Sequence, residues 1–346
     1  MTIEPWVIQQ LSIHFWIAFG VSAILANPIW RLLLLTKSRQ TISEYAPEGH
    51  QAKQGTPTMG GLIIMAGYIV TAISSFFIPV PEEIGYMEGT KLPFLVLAIG
   101  FMLIGFVDDF VVPRMLKGKR GLGWKQKIIM QLGIAILGAG LCYGWEFNLS
   151  FAGCVFLILF FSNAYNFSDG LDGLAGTLLL GLVLGIVGVG LATAWMEPML
   201  VMLVPLAGAV IPFLFLNAPP AKVFMGDVGS LSIGAVLGLA VSCLVLRPPF
   251  TLIESVTRLP FSGNSIILMA CLLISVMMIA ELVPVPLQIA SVKLRKKRLF
   301  PYTPIHHAFE KAGWPETRVV WMFALIQLLV SLVAISLVLA SSFEVR

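Results

Sequence analysis

The chain has 346 residues, of which 58% are hydrophobic and only 12% charged. Water-soluble domains run near half apolar and about a quarter charged, so a soluble globule is excluded. The net charge of +4 is too small to suggest a nucleic-acid partner, and where the charges fall matters more than their sum.

Apolar runs of roughly 17–25 residues recur along the whole chain, which calls for one polytopic helical bundle in a lipid bilayer. Ten spans are predicted, at about 11–35, 59–79, 92–108, 126–144, 149–164, 174–193, 199–217, 229–246, 263–286 and 319–341. The start, Met1-Thr-Ile-Glu-Pro-Trp6, has no basic n-region and no small-residue cleavage site, so the first span reads as retained. If the segments after spans 1, 3, 5, 7 and 9 share one side, that side receives every Lys and Arg except Lys91, Arg247, Arg258 and Arg346. So uneven a split makes that side cytoplasmic and both termini external. Residues 287–318 form the longest cytoplasmic connection and the only one large enough for a small lid on a single 1–346 domain. Cys142, Cys154, Cys243 and Cys271 all lie inside apolar runs without a CxxC pair, so they read as small buried hydrophobes.

The cytoplasmic connections carry five polar clusters. Lys53-Gln-Gly-Thr-Pro-Thr-Met-Gly-Gly61 precedes span 2. It is either a plain Gly/Pro helix entry or a place where Lys53 and free N–H groups meet a phosphate. Asp108 and Asp109 end span 3, where the helix dipole disfavours carboxylates and the two repel each other. A pair placed against both effects usually has a cation to hold; the alternative is a solvated helix end flanked by Arg114, Lys117, Lys119 and Arg120. The basic run that follows is mostly a topology signal, although Lys125 and Lys127 are positioned to meet a phosphate as well.

Asn163-Ala-Tyr-Asn-Phe-Ser-Asp-Gly-Leu-Asp-Gly-Leu-Ala175 lies between two spans. A helix cap explains one aspartate there, not the set of Asn163, Asn166, Asp169 and Asp172. Asp227 opens span 8 between Gly226 and Gly229, and an N-cap is the modest alternative for it. His306 and His307 sit in the lid beside Phe309 and Trp314; with no Cys and no third His they suit anion and ring contacts better than zinc. Ionisable groups at membrane depth are costly, so five clusters on one face read as one site. Aspartates in place of His and Cys ligands indicate a hard metal, Mg²⁺ or Mn²⁺. With lysines at a membrane surface, they point to phosphoryl chemistry on a lipid acceptor.

These motifs together resemble the polyprenyl-phosphate N-acetylhexosamine-1-phosphate transferases, and among them the phospho-N-acetylmuramoyl-pentapeptide-transferase branch. The resemblance covers essentially the whole chain, through KxGTPTMGG at 53–61, VDD at 107–109, NxxNFSDGLDGLAG at 163–176, NxPPAKVFMGDVGSLSIG at 217–234 and PIHHxFExxGWPE at 304–316. The last of these separates it from the N-acetylglucosamine-1-phosphate transferases, the nearest alternative; a secondary transporter would place its polar groups near the midplane. The resemblance implies that undecaprenyl phosphate and UDP-MurNAc-pentapeptide are converted to lipid I and UMP, with a homodimer as the family's usual assembly. It assigns Asp108, Asp109 and Asp227 to catalysis and Mg²⁺, and Lys53, Thr58, Asn166, Asp169, Asp172, Asn217 and Phe224 to the nucleotide. Lys125 would offset phosphate charge, and His306 and His307 would touch the diphosphate or sugar. The family usually shows three consecutive histidines, whereas the third position here is Ala308.

Overall fold

The computed structural model describes residues 5–36, 55–78, 91–116, 121–193, 197–246 and 263–342. Lys53 lies outside the described residues. All regular structure among them is helical, in the order α1 (Pro5–Leu35), α2 (Gly61–Ser74), α3 (Lys91–Phe106), α4 (Val112–Met115), α5 (Trp124–Tyr143), α6 (Leu149–Ser168) and α7 (Leu174–Thr193). There follow α8 (Glu197–Asn217), α9 (Gly226–Leu246), α10 (Gly263–Ile274), α11 (Val276–Leu282), α12 (Pro284–Arg295), α13 (Ile305–Lys311) and α14 (Glu316–Ser342). Among the described residues nine helical stretches are long and apolar enough to cross a membrane, and two shorter apolar helices accompany them. The protein is therefore all-α and polytopic, as its composition demands.

Three predicted spans differ in detail. Span 2, predicted at 59–79, is the shorter helix α2, Gly61–Ser74, which is not one of the nine long stretches. Span 3 does not stop at Asp108: a π turn, Val107–Val111, carries the helix on into α4. Span 9 is interrupted at Ser275 and again at Val283. Proline has no N–H and fits the first helical position, so Pro284 starts α12 where α11 ends.

The bundle is organised around α9, whose residues from Val228 to Leu244 are all buried. It packs most extensively on α6 and α3. Hydrocarbon gives no hydrophobic drive for helices to associate, so contact must come from close van der Waals packing between small residues. Gly234 and Gly238, one turn apart, let α9 approach the α6 backbone: an added Cβ would stand 2.5 Å from the carbonyl oxygen of Phe161 or of Leu157, respectively. On the α3 side, a Cβ on Gly105 would fall 2.3 Å from the carbonyl carbon of Asp227. Gly105→Ala must therefore push α3 off the first turn of α9. Overpacking of this kind costs about 1–3 kcal/mol, and the expected result is a lower thermal midpoint for the detergent-purified protein together with reduced activity. An unchanged midpoint would show that the crossing is looser than described.

Candidate active site

The acidic pair sits in the π turn at the end of α3. Such wide turns replace the regular α-helical bonding over one turn and are frequent at functional sites. The third carboxylate, Asp227, stands in the first turn of α9, where the dipole favours negative charge. Gly226 precedes it at φ 72°, a left-handed conformation, and a Cβ there would meet both Asp109 Oδ2 and Thr58 Oγ1 at 2.6 Å. Asp108, Asp109 and Asp227 each offer an oxygen within 4.8 Å of the others.

Lys127, from the first turns of α5, ion-pairs with Asp227 and reaches Asp108 at 3.6 Å. Asp108 also accepts the Leu122 N–H at 2.6 Å, and Asp109 accepts the Val228 N–H at 3.4 Å. Asn166 donates to the second oxygen of Asp227 at 2.7 Å and to Ser230 Oγ at 2.8 Å. Of these three partly exposed carboxylates, Asp108 and Asp227 thus share one ammonium. When all are ionised the cluster keeps excess negative charge, which suits a divalent cation, and its oxygen-only donors suit a hard one.

The adjoining loop between α6 and α7 is tied down on three sides. Asp169 accepts the Gly226 N–H at 3.0 Å. Burial pushes the Asp169 carboxyl well above the usual carboxylate range; the charges of Asp227 and Asp172 add to this, and the Gly226 N–H opposes it. Asp172 is buried, accepts the Ala221 N–H at 2.9 Å, and its own N–H donates to Glu316 at 2.6 Å. Asn217 accepts the Gly173 N–H and donates to the Val223 carbonyl, both at 2.9 Å. Across from this loop, the Phe224 N–H donates to Pro57, and the Gly60 and Gly61 N–H groups donate to Phe224 and Met225. Thr58, Asn166, Asp169, Asp172, Asn217 and Phe224 are therefore brought together along the segment 221–227.

Comparison with known proteins bears on what this arrangement serves. Residues 92–245 match glycosyl transferase family 4, and residues 53–65 match phospho-N-acetylmuramoyl-pentapeptide-transferase signature 1. A phospho-N-acetylmuramoyl-pentapeptide-transferase of Staphylococcus haemolyticus is 34% identical over 330 residues, spanning 89% of this chain and 92% of its own. One from Clostridium perfringens is 34% identical over 350 residues, spanning 96% of this chain and 97% of its own. The chain belongs to the phospho-N-acetylmuramoyl-pentapeptide-transferase family. A further relative carrying that name, from Staphylococcus aureus, is 32% identical over 355 residues, with 94% of this chain and 98% of its own covered. Glycosyl transferase family 4 is a metal-dependent enzyme family, which agrees with the acidic cluster.

Not every residue singled out in the transferase sequence joins the cluster. Lys125 is exposed and lies 5.6 Å from the centre of the Trp124 ring, while Lys127 takes the central position. His306 is fully buried, with Nδ1 on Glu281 at 2.9 Å, and its Nε2 has no partner. That nitrogen lies against the loop between α6 and α7, because a Cβ on Gly170 would stand 2.4 Å from it. His307 is partly buried and bonds Glu310 at 2.6 Å. Sequence reasoning passed over Glu281 and Glu316. For Glu281 a signal existed, since a lone carboxylate inside an apolar span is costly unless it has a partner.

Proposed function

We propose that the protein transfers phospho-MurNAc-pentapeptide from its UDP-linked donor to undecaprenyl phosphate, giving lipid I and UMP, the first membrane step of peptidoglycan synthesis. In this step an oxygen of the lipid phosphate bonds to the sugar-bearing β-phosphorus, and the bond from that phosphorus to the UMP oxygen breaks. The observation that carries the reading is the meeting of Asp108, Asp109, Asp227 and Lys127 at one point of a membrane bundle, in a chain of this family.

The lipid phosphate has a second pKa near 6 and is mostly dianionic at neutral pH, so a strong general base adds little. Bringing phosphate to diphosphate is chiefly a problem of charge and alignment. Asp108, Asp109 and Asp227 would hold Mg²⁺, or Mn²⁺, which when bound neutralises diphosphate charge. Lys127 is placed to release a carboxylate and take up a phosphate oxygen, and Lys53 and Lys125 would offset further phosphate charge. Asn166 fixes the orientation of Asp227. Thr58, Asp169, Asp172 and Asn217 shape the uridine pocket by holding its backbone, with Phe224 at its edge for the base. His306 supports that loop from behind, and His307 faces the sugar phosphate. The segment 287–318 acts as a lid within one 1–346 domain, with the site cytoplasmic, both termini external, and the protein a homodimer in the bacterial inner membrane.

The test is UMP release from UDP-MurNAc-pentapeptide by the protein reconstituted in bilayers. Release is expected only when both Mg²⁺ and polyprenyl phosphate are present, and chelation with EDTA should abolish it reversibly. Release without the lipid acceptor, or faster turnover of UDP-N-acetylglucosamine, would refute the assignment.

A further inference from the structure

The segment 287–318 has a feature of its own, apart from the cluster around Asp227. A cavity of about 650 Å³ opens between α12 and the segment 296–303, lined among others by Ile289, Val292, Lys293, Lys296, Arg298 and Tyr302. Its walls are fastened. Gln288 accepts the N–H groups of Leu299 at 2.8 Å and Phe300 at 3.0 Å and donates to the Phe300 carbonyl at 3.1 Å. Ser291 donates to the Lys297 carbonyl at 2.9 Å. Between these ties the chain reverses at Lys296, whose φ of 55° is left-handed, an uncommon conformation for a residue with a side chain.

Among the described residues no carboxylate pairs with Lys293, Lys296 or Arg298. A positive run is ordinarily explained by membrane orientation alone. Orientation depends on a count of charges, however, and does not call for a fold that turns three of them round one cavity and leaves Arg295 and Lys297 outside. The same helix exposes Leu287, Ile289, Val292 and Leu294, and Leu299 is exposed just beyond it, so α12 has apolar and cationic surfaces side by side. That combination suits the interface of a bilayer, with hydrocarbon on one and headgroups on the other.

We propose that this pocket holds the phosphate headgroup of an anionic phospholipid of the surrounding bilayer, its chains lying along Ile289 and Val292. The site has a route to catalysis. Tyr302, on the pocket wall, stands edge-on to the His307 ring at 6.1 Å and lies 5.2 Å beneath the Lys311 ammonium. A headgroup seated there fixes the entry to α13 and, through it, the histidines of the lid. This consequence for turnover rests on the transferase reading; the binding itself does not.

Native mass spectrometry of the full-length protein from nanodiscs containing equal phosphatidylglycerol and phosphatidylcholine tests the binding without any substrate. The wild type should retain phosphatidylglycerol selectively. The variant Lys293→Gln/Lys296→Gln/Arg298→Gln should lose that selectivity by about a hundredfold, since each basic residue contributes about a fivefold factor near an anionic surface. A control, Arg295→Gln/Lys297→Gln, removes two exposed charges of the same run and should leave it unchanged. The proposal is overturned if the control loses selectivity equally, because the effect is then diffuse charge. It is overturned likewise if inorganic phosphate displaces the lipid, or if polyprenyl phosphate displaces it one for one, which would make this an acceptor subsite. In the activity arm, UMP release should rise with the phosphatidylglycerol fraction in the wild type and stay flat in the triple variant. No UMP release from any form, with selective retention intact, would refute the transferase reading and leave the lipid site standing.

Discussion

Asp227→Asn is expected to slow UMP release by about a thousandfold while the protein remains folded. The asparagine keeps the shape of the side chain, and its carbonyl oxygen still accepts from Asn166, which now bonds Asp227 at 2.7 Å. Lys127 keeps Asp108 as a partner at 3.6 Å. What disappears is one negative charge at the point where three carboxylates meet. Loss of a single preorganised electrostatic contact to a developing charge typically costs about 10²–10³ in rate, and loss of a metal ligand belongs at the upper end. Single-turnover rates across a Mg²⁺ titration, beside a thermal melt, check both halves of the expectation. A variant within tenfold of wild type and with the same Mg²⁺ dependence would remove Asp227 from the metal site.

Glu281→Ala should act at a distance. It leaves the His306 ring, which is fully buried, with no side-chain partner on either nitrogen. A buried polar group stripped of its partner costs about 1–3 kcal/mol, more when the pair is ionic. Because His306 lies against Gly170, part of that cost should appear as a looser loop between α6 and α7. KM for the UDP-linked donor should rise about tenfold, the equivalent of roughly 1.4 kcal/mol, with a smaller change in kcat. Glu281→Gln retains a hydrogen-bonding group and should stay close to wild type. If the glutamine variant fails as badly as the alanine one, the charge of Glu281 and not its hydrogen bond does the positioning.

The spans were legible because hydropathy sums over some twenty residues, and no single side chain decides it. The three carboxylates were legible because polar groups beside hydrocarbon are costly enough to stand out. Their surroundings were much less so. The π turn at Val107–Val111 follows from how α3 meets α9, and no local pattern marks it. Asp169, Asp172 and Asn217 read as contacts for a ligand, yet each spends an oxygen on a backbone N–H, of Gly226, Ala221 and Gly173 respectively. Backbone donors leave no trace in a sequence, so such ties show only in the fold. Lys125 and Lys127 look interchangeable on paper. At 3.6 residues per turn, two positions are about 200° apart on a helix, which sends Lys127 to the carboxylates and Lys125 to Trp124.

The complete burial of α9 has a mechanical consequence. Membranes differ in thickness from one growth condition to another, and helices in contact with lipid answer by tilting or by deforming the bilayer around them. Helix α1 and helix α14, with wide exposed faces, are the parts that feel such a change. Helix α9 touches its neighbours on nearly every side and so is insulated from it. Asp227 at its head is thus referenced to the protein's own frame, and its position should hold when the lipid around the bundle is remodelled.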